Sequence, residues 1–170
     1  EDLYTAFSED FFGGTASTVW GSLVGTDPQC AVLALQSALN GVGRITTGDD
    51  AAATMAVNGA QFNLSALQWR VDSGGFELEF RVKIDAITAV AWFVGMTDQA
   101  FSLEMPFTMS GTTLTSNTSN GFGILFDTDA TTDNWKLVGV ATDVDATVQD
   151  AGVAPAANTY ETWRILVTTA

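Results

Sequence analysis

Histidine is absent from this 170-residue chain, and cysteine occurs once, as Cys30. Without imidazole there is no His general base, no His-held zinc or haem, no Ser-His-Asp triad and no switch near neutral pH. With one thiol there is no intramolecular disulfide and no thiolate cluster. Basic residues are also scarce: two Lys and four Arg stand against fourteen Asp and six Glu, a net charge of −14. Nucleic-acid affinity comes largely from neutralising phosphates, so this balance argues against a nucleic-acid partner. It argues against an anionic membrane surface in the same way. Long apolar runs are missing as well. Val32–Leu35 and Ala89–Met96 fall far short of the roughly 20 residues a spanning helix needs. No secretory leader is visible and residue 1 is Glu, which leaves open that the chain is processed or trimmed.

What remains is rich in core-forming residues. The chain is 46% apolar and 11% aromatic, with five Trp and eleven Phe, against 15% charged. That composition is too apolar for disorder despite sixteen Gly. A chain of this length buries roughly 70% of its unfolded surface without covalent staples. The expectation is one compact acidic domain over residues 1–170.

The dominant period is two. From Phe76 to Asp85, Phe76, Leu78, Phe80, Val82 and Ile84 alternate with Glu77, Glu79, Arg81, Lys83 and Asp85, the pattern of a half-buried strand. Ala89–Met96 is apolar on both faces and reads as a central strand covered on each side, or as one whose second face a neighbouring subunit buries. Gly121–Asp127 and Trp135–Ala141 flank a loop rich in Asp and Thr and read as a hairpin. In the second of these, Trp135 and Leu137 alternate against Lys136 and Val138. Tyr160–Thr168 is a last strand, with Trp163, Ile165 and Val167 on one face. Earlier in the chain, Val19–Val24 and Arg44–Thr46 are short strand candidates. Ala31–Leu39 has helix-forming residues but reads as strand in a β-rich context. Gln61–Val71 alternates loosely. The fold class is therefore all-β: an antiparallel β-sandwich or jelly roll. Residues 1–44 are the least clearly patterned part.

Each candidate for chemistry has a plain structural counterpart. Glu77 and Glu79 share a sheet face, as the carboxylate pair of a retaining glycosidase would. Arg81 and Lys83 lie on the same face and make an ordinary charged strand surface the simpler reading. Asp127, Asp129 and Asp133 are a candidate oxygen cluster for Ca2+, but the loop lacks the glycine and closing Glu of an EF-hand and also suits an Asx turn. Asp143, Asp145 and Asp150 form a second acidic stretch of the same kind. The tryptophans are candidate sugar platforms, yet Trp92, Trp135 and Trp163 sit at core-like positions. Gly13-Gly14 and Gly74-Gly75 precede neither a helix nor a Lys-Ser/Thr pair, so no phosphate loop is present. No catalytic constellation and no cofactor site is expected.

Five stretches in order carry a resemblance: Thr47–Ala51, Gly74–Lys83, Phe93–Asp98, Gly121–Asp129 and Tyr160–Ile165. Together they resemble a group of tailed-bacteriophage virion proteins with a concanavalin A-like lectin/glucanase jelly roll. The resemblance implies a capsid decoration or cement protein on the outer surface of the virion, bound to the major capsid protein and often trimeric. Glucanases of that superfamily carry a Glu-x-Asp-x-x-Glu strand. Here Glu77-Leu78-Glu79 lacks the Asp and the third acid, so catalysis does not carry over. Family members also continue past the strand that ends near Val167, so closing strands are expected from the N-terminal segment or another subunit, or are missing from a trimmed chain. The apolar contacts such a protein needs point to Tyr4, Phe7, Phe11, Phe12 and Trp92 as interface candidates, with core packing as the alternative for the N-terminal four. A second functional expectation is a carbohydrate-binding module of a phage fibre or host-attachment protein. A third is a glycosidase acting through Glu77 or Glu79.

Overall fold

The computed structural model describes residues 20–35, 42–51, 54–64, 75–100 and 102–168. The structure is all-β, and among the described residues its strand pairs are antiparallel and one short helix is present. The interface candidates Tyr4, Phe7, Phe11 and Phe12 lie outside the described residues. The chain divides into two compact units, one of residues 1–67 with 101–104, the other of residues 68–100 with 105–170.

In the first unit, β1 (Gly21–Val24) pairs with β4 (Ala60–Asn63), and β2 (Ala31–Leu35) pairs with β3 (Val42–Thr46). Of the strand expected over Ala31–Leu39, Ala31–Leu35 is β2, for which β3 supplies a ladder despite the helix-forming composition, and the remainder lies outside the described residues. A single-turn helix, α1 (Met55–Asn58), leads into β4. The Trp20 ring stacks on Phe62 at 4.3 Å between centroids and 9° between planes. Cys30 is buried beside the Val57 carbonyl.

The second unit is built on a sheet of β6 (Ala91–Thr97), β9 (Asn120–Asp127) and β10 (Lys136–Ala141), with β11 (Val144–Asp145) and β12 (Gln149–Asp150) on the far edge of β10. The expected hairpin is β9–β10, with Ile124 opposite Leu137 and Leu125 opposite Lys136. One face of this sheet carries Ile124 and Phe126. With Trp135, these pack against Phe80 of β5 (Phe76–Val82) and against Trp163 and Ile165 of β13 (Glu161–Val167). β5 and β13 form their own two-stranded sheet, Phe80 opposite Trp163. The other face carries Leu125, Val138 and Val140, which pack with Phe107 and Met109 of the hairpin β7 (Phe107–Ser110) and β8 (Thr113–Ser116).

β6 is therefore apolar on both faces because two separate apolar clusters lie on the two sides of its sheet. It is not the central strand that its apolarity suggests. Among the described residues it pairs with β9 alone and ends the strand order. Gly95 and Gly123 face each other across these two strands, and the Phe93 ring lies over both. A Cβ at Gly123 would come within 2.5 Å of that ring. This slot carries Phe93 to Phe107, with ring centroids 5.3 Å apart.

The alternation in β10 has the expected parity, Trp135 and Leu137 on the side of Ile124 and Lys136, Val138 and Val140 on the side of Leu125. The degree of enclosure differs from a simple inside and outside: Lys136 is buried, whereas Leu137 is 47% exposed. Tertiary packing decides this: the buried lysine finds enough oxygen acceptors to offset the loss of water.

Candidate functional site

Glu77 and Glu79 stand on the outward face of β5, where the register sets them opposite Leu166 and Arg164. Arg164 Nη2 donates to Glu77 Oε2 at 2.6 Å, and both side chains are exposed. Glu77 holds the Arg164 guanidinium in its charged form, raising its pKa, with a smaller contribution from Glu79. Arg81 Cζ lies 4.5 Å and Lys83 Nζ 5.4 Å from the centroid of the Tyr160 ring. Alternation on the strand places all these charges on one side, because Leu78 and Phe80 are turned inward. Three of the five described basic residues, Arg81, Lys83 and Arg164, thus gather on one sheet face of a chain with net charge −14.

Asp127 is buried at the end of β9, with both carboxylate oxygens occupied. Oδ2 accepts from Met109 N at 2.8 Å and Oδ1 from Asp129 N at 3.0 Å. Gly111 N donates to Asp129 O, and Thr131 N donates back to Gly111 O. Asp127 thus serves as the hydrogen-bond partner of a β7 amide and ties the β7–β8 turn to the loop after β9. Asp129 and Asp133 are exposed. The three carboxylates do not converge: among the described residues no group of three or more His, Cys, Asp or Glu is arranged to hold a metal ion.

Asp150, in the second acidic stretch, is a hydrogen-bond hub. It accepts from Gly152 N, Thr132 Oγ1, Asn134 Nδ2 and Lys136 Nζ, at 2.7, 2.8, 2.9 and 3.0 Å. These donors hold its carboxyl well below the usual carboxylate range, the Gly152 amide contributing most. The Lys136 ammonium, 5% exposed, also donates to Thr132 O and Thr132 Oγ1, so its three protons have three acceptors. Asp145 accepts from Ser116 Oγ. Asp143 sits in the turn between β10 and β11.

The described tryptophans are packing residues. Trp135 lies between Trp92 and Trp163, 5.5 Å from each ring and edge-on to both. Its indole Nε1 donates to Glu161 Oε2 at 2.7 Å. Trp92, the described interface candidate, belongs to this cluster and is half-buried. The exposed aromatic beside the charged face is Tyr160, at 42%.

Next to that face, two adjoining open recesses of about 260 and 330 Å3 share Leu137 and Ile165 in their walls. Trp163 and Ile124 line one, Phe122 and Gly139 the other. Leu166 is 62% exposed at the border. Sequence reasoning did not find this surface. Its signal was Leu166, an apolar residue at an outward position of a strand whose Trp163, Ile165 and Val167 already filled the inward face. The arrangement joins charge of both signs to apolar area and is suited to contact with another macromolecule.

Comparison with protein-family models, with curated proteins and with solved structures finds no match for this chain.

Proposed function

We propose that this chain is a non-enzymatic structural protein of a virion, a capsid decoration or cement protein that binds the major capsid protein on the outer surface and stabilises the head. One observation carries the reading. Of the five ordered stretches that resemble tailed-phage virion proteins, four supply β5, β6, β9 and β13, the strands around the Trp135 cluster. In this reading the second unit's sheets belong to a concanavalin A-like jelly roll. The β5–β13 face and the recess beside Leu137 and Leu166 are its docking surface, where exposed basic residues gather on a chain of net charge −14.

The test is co-sedimentation of the purified chain with capsid shells stripped of decoration, at physiological salt, alongside glycan-coated beads. Saturable pelleting with shells and not with beads is the expected result, and bound shells should resist heat better than bare ones. Pelleting with beads alone would replace this reading by a carbohydrate-binding one, with Tyr160 as the first residue to substitute. Pelleting with neither would overturn it.

A further inference from the structure

We propose that β5 pairs antiparallel with β5 of a second copy, across a two-fold axis through Phe80, joining two β13–β5 sheets into one of four strands.

The charges of β5 and of the residue that follows it are antisymmetric about Phe80: Glu77 and Glu79 precede it, Arg81 and, just past the strand, Lys83 follow it. Directly opposed residues in an antiparallel pair share a face. A two-fold through Phe80 therefore sets Glu79 against Arg81 and Glu77 against Lys83, each twice. Every charge meets its opposite, and opposite-charge cross-strand pairs favour pairing. On the inner face the same operation sets Phe80 against Phe80 and Leu78 against Val82. No other register does this. A two-fold through Glu79 leaves Glu79 facing itself, and the same operation on β13 about its centre brings Arg164 onto Arg164.

Among the described residues β5 pairs with β13 alone, on one of its two edges. Exposed edge strands are commonly protected by proline, by an inward-pointing charge or by charged side chains, lysine above all. Residues 76–84 contain no proline and no inward-pointing charge, and their outward charges are the ones that the two-fold pairs with their opposites. Leu78, Phe80, Val82 and Ile84 are also only half-buried, whereas Phe107, Leu125, Phe126 and Trp135 are fully enclosed. A strand alongside adds apolar neighbours to that inner row. A two-fold contact produces dimers and not the trimer that the resemblance implies, and it is independent of the capsid reading, which shell pelleting tests separately.

Sedimentation velocity on the full chain at tens of micromolar should give a dimer. Two charge variants then test the register. Arg81→Glu/Lys83→Glu makes the outward row wholly acidic, and Glu77→Lys/Glu79→Arg makes it wholly basic. Each alone should stay monomeric, with self-association weakened at least about tenfold. An equimolar mixture should form a one-to-one dimer, because all four pairs are then complementary. A monomeric native chain, variants that self-associate as the native chain does, or folded variants that ignore each other would overturn the proposal. Hydrogen exchange on the native chain is a check that needs no variant. Amide protection at Glu77–Lys83 should rise with protein concentration while β10 stays unchanged, and concentration-independent exchange in β5 would equally overturn it.

Discussion

The indole of Trp135 donates its proton to Glu161 Oε2 at 2.7 Å, so the largest fully buried side chain is anchored to the first residue of β13. The second oxygen of Glu161 accepts from Ala156 N at 3.3 Å. A single carboxylate thus joins the residue before β10, the loop before β13 and β13 itself. Glu161→Leu should destabilise the chain by about 1–3 kcal/mol, because it leaves a buried N–H without an acceptor. Glu161→Gln, which keeps an oxygen at that position, should cost less than half as much. Urea unfolding followed by tryptophan fluorescence measures both, and equal losses would show that the hydrogen bond is not what stabilises the site.

Asp127 is expected to behave as a joint. Asp127→Ala frees the amides of Met109 and Asp129 and should cost about 1–3 kcal/mol. Asp129→Ala and Asp133→Ala, at exposed positions, should stay within about 0.5 kcal/mol of the native chain. Neither calcium nor a chelator should move the melting temperature. A calcium-dependent rise abolished by Asp133→Ala would instead make the loop an ion site.

The rim of the main sheet predicts an acid sensitivity. Asp98 accepts from Thr118 Oγ1 and from the backbone and side chain of Asn120, and these bonds lower its pKa to about 2. Its folded pKa lies below the unfolded value, so its contribution is fully present above about pH 4 and is lost as pH falls toward about 2. Asp98 is largely exposed, so solvent screening keeps the effect small. Asp98→Asn should be less stable than the native chain at pH 6, and the difference should narrow by pH 2. A gap independent of pH would remove the titration from the explanation.

The β10–β11 turn is strained. Its two central residues, Thr142 and Asp143, have φ of 53° and 60°, a conformation that Asn-Gly adopts readily and a β-branched residue resists. The turn is held in place by Thr142 N donating to Asn120 Oδ1 and Asp143 N donating to Ser119 O. Asp143→Gly should stabilise the chain by up to about 1 kcal/mol, as relief of strain exceeds the added chain entropy. A lower urea midpoint for this variant would contradict the account.

Strand identity was legible where one face of a strand is buried and the other is wet. β5 and β13 declare themselves by alternation, because a period of two has no other economical explanation over seven residues. β9 is enclosed on both faces and was legible through Phe122, Ile124 and Phe126. β7 and β8 were not assigned. Each is four residues long and the second is half threonine, too short for periodicity to stand out from loop composition. A signal was present in Gly111, whose φ of 61° at the first central position of a two-residue turn fits a type II′ hairpin.

The candidate surface was less legible than the strands. Glu77, Glu79, Arg81 and Lys83 were placed correctly on one face by sequence alone. Their meeting with Arg164 and Tyr160 depends on the β5–β13 register, which links residues about eighty positions apart.

Composition and alternation determined that this chain is all-β, acidic and without imidazole chemistry, since those properties belong to residue types and their local period. Tertiary structure decided how far the two faces of each strand are enclosed. Lys136 is buried because Thr132 and Asp150 converge on its ammonium, whereas Leu137 on the other face stays exposed. It also made Asp127 a structural anchor, because the amide of Met109 arrives from another strand eighteen residues away. A buried polar group is tolerated only where distant parts of the chain bring it partners, and that convergence is a property of the fold and not of local sequence.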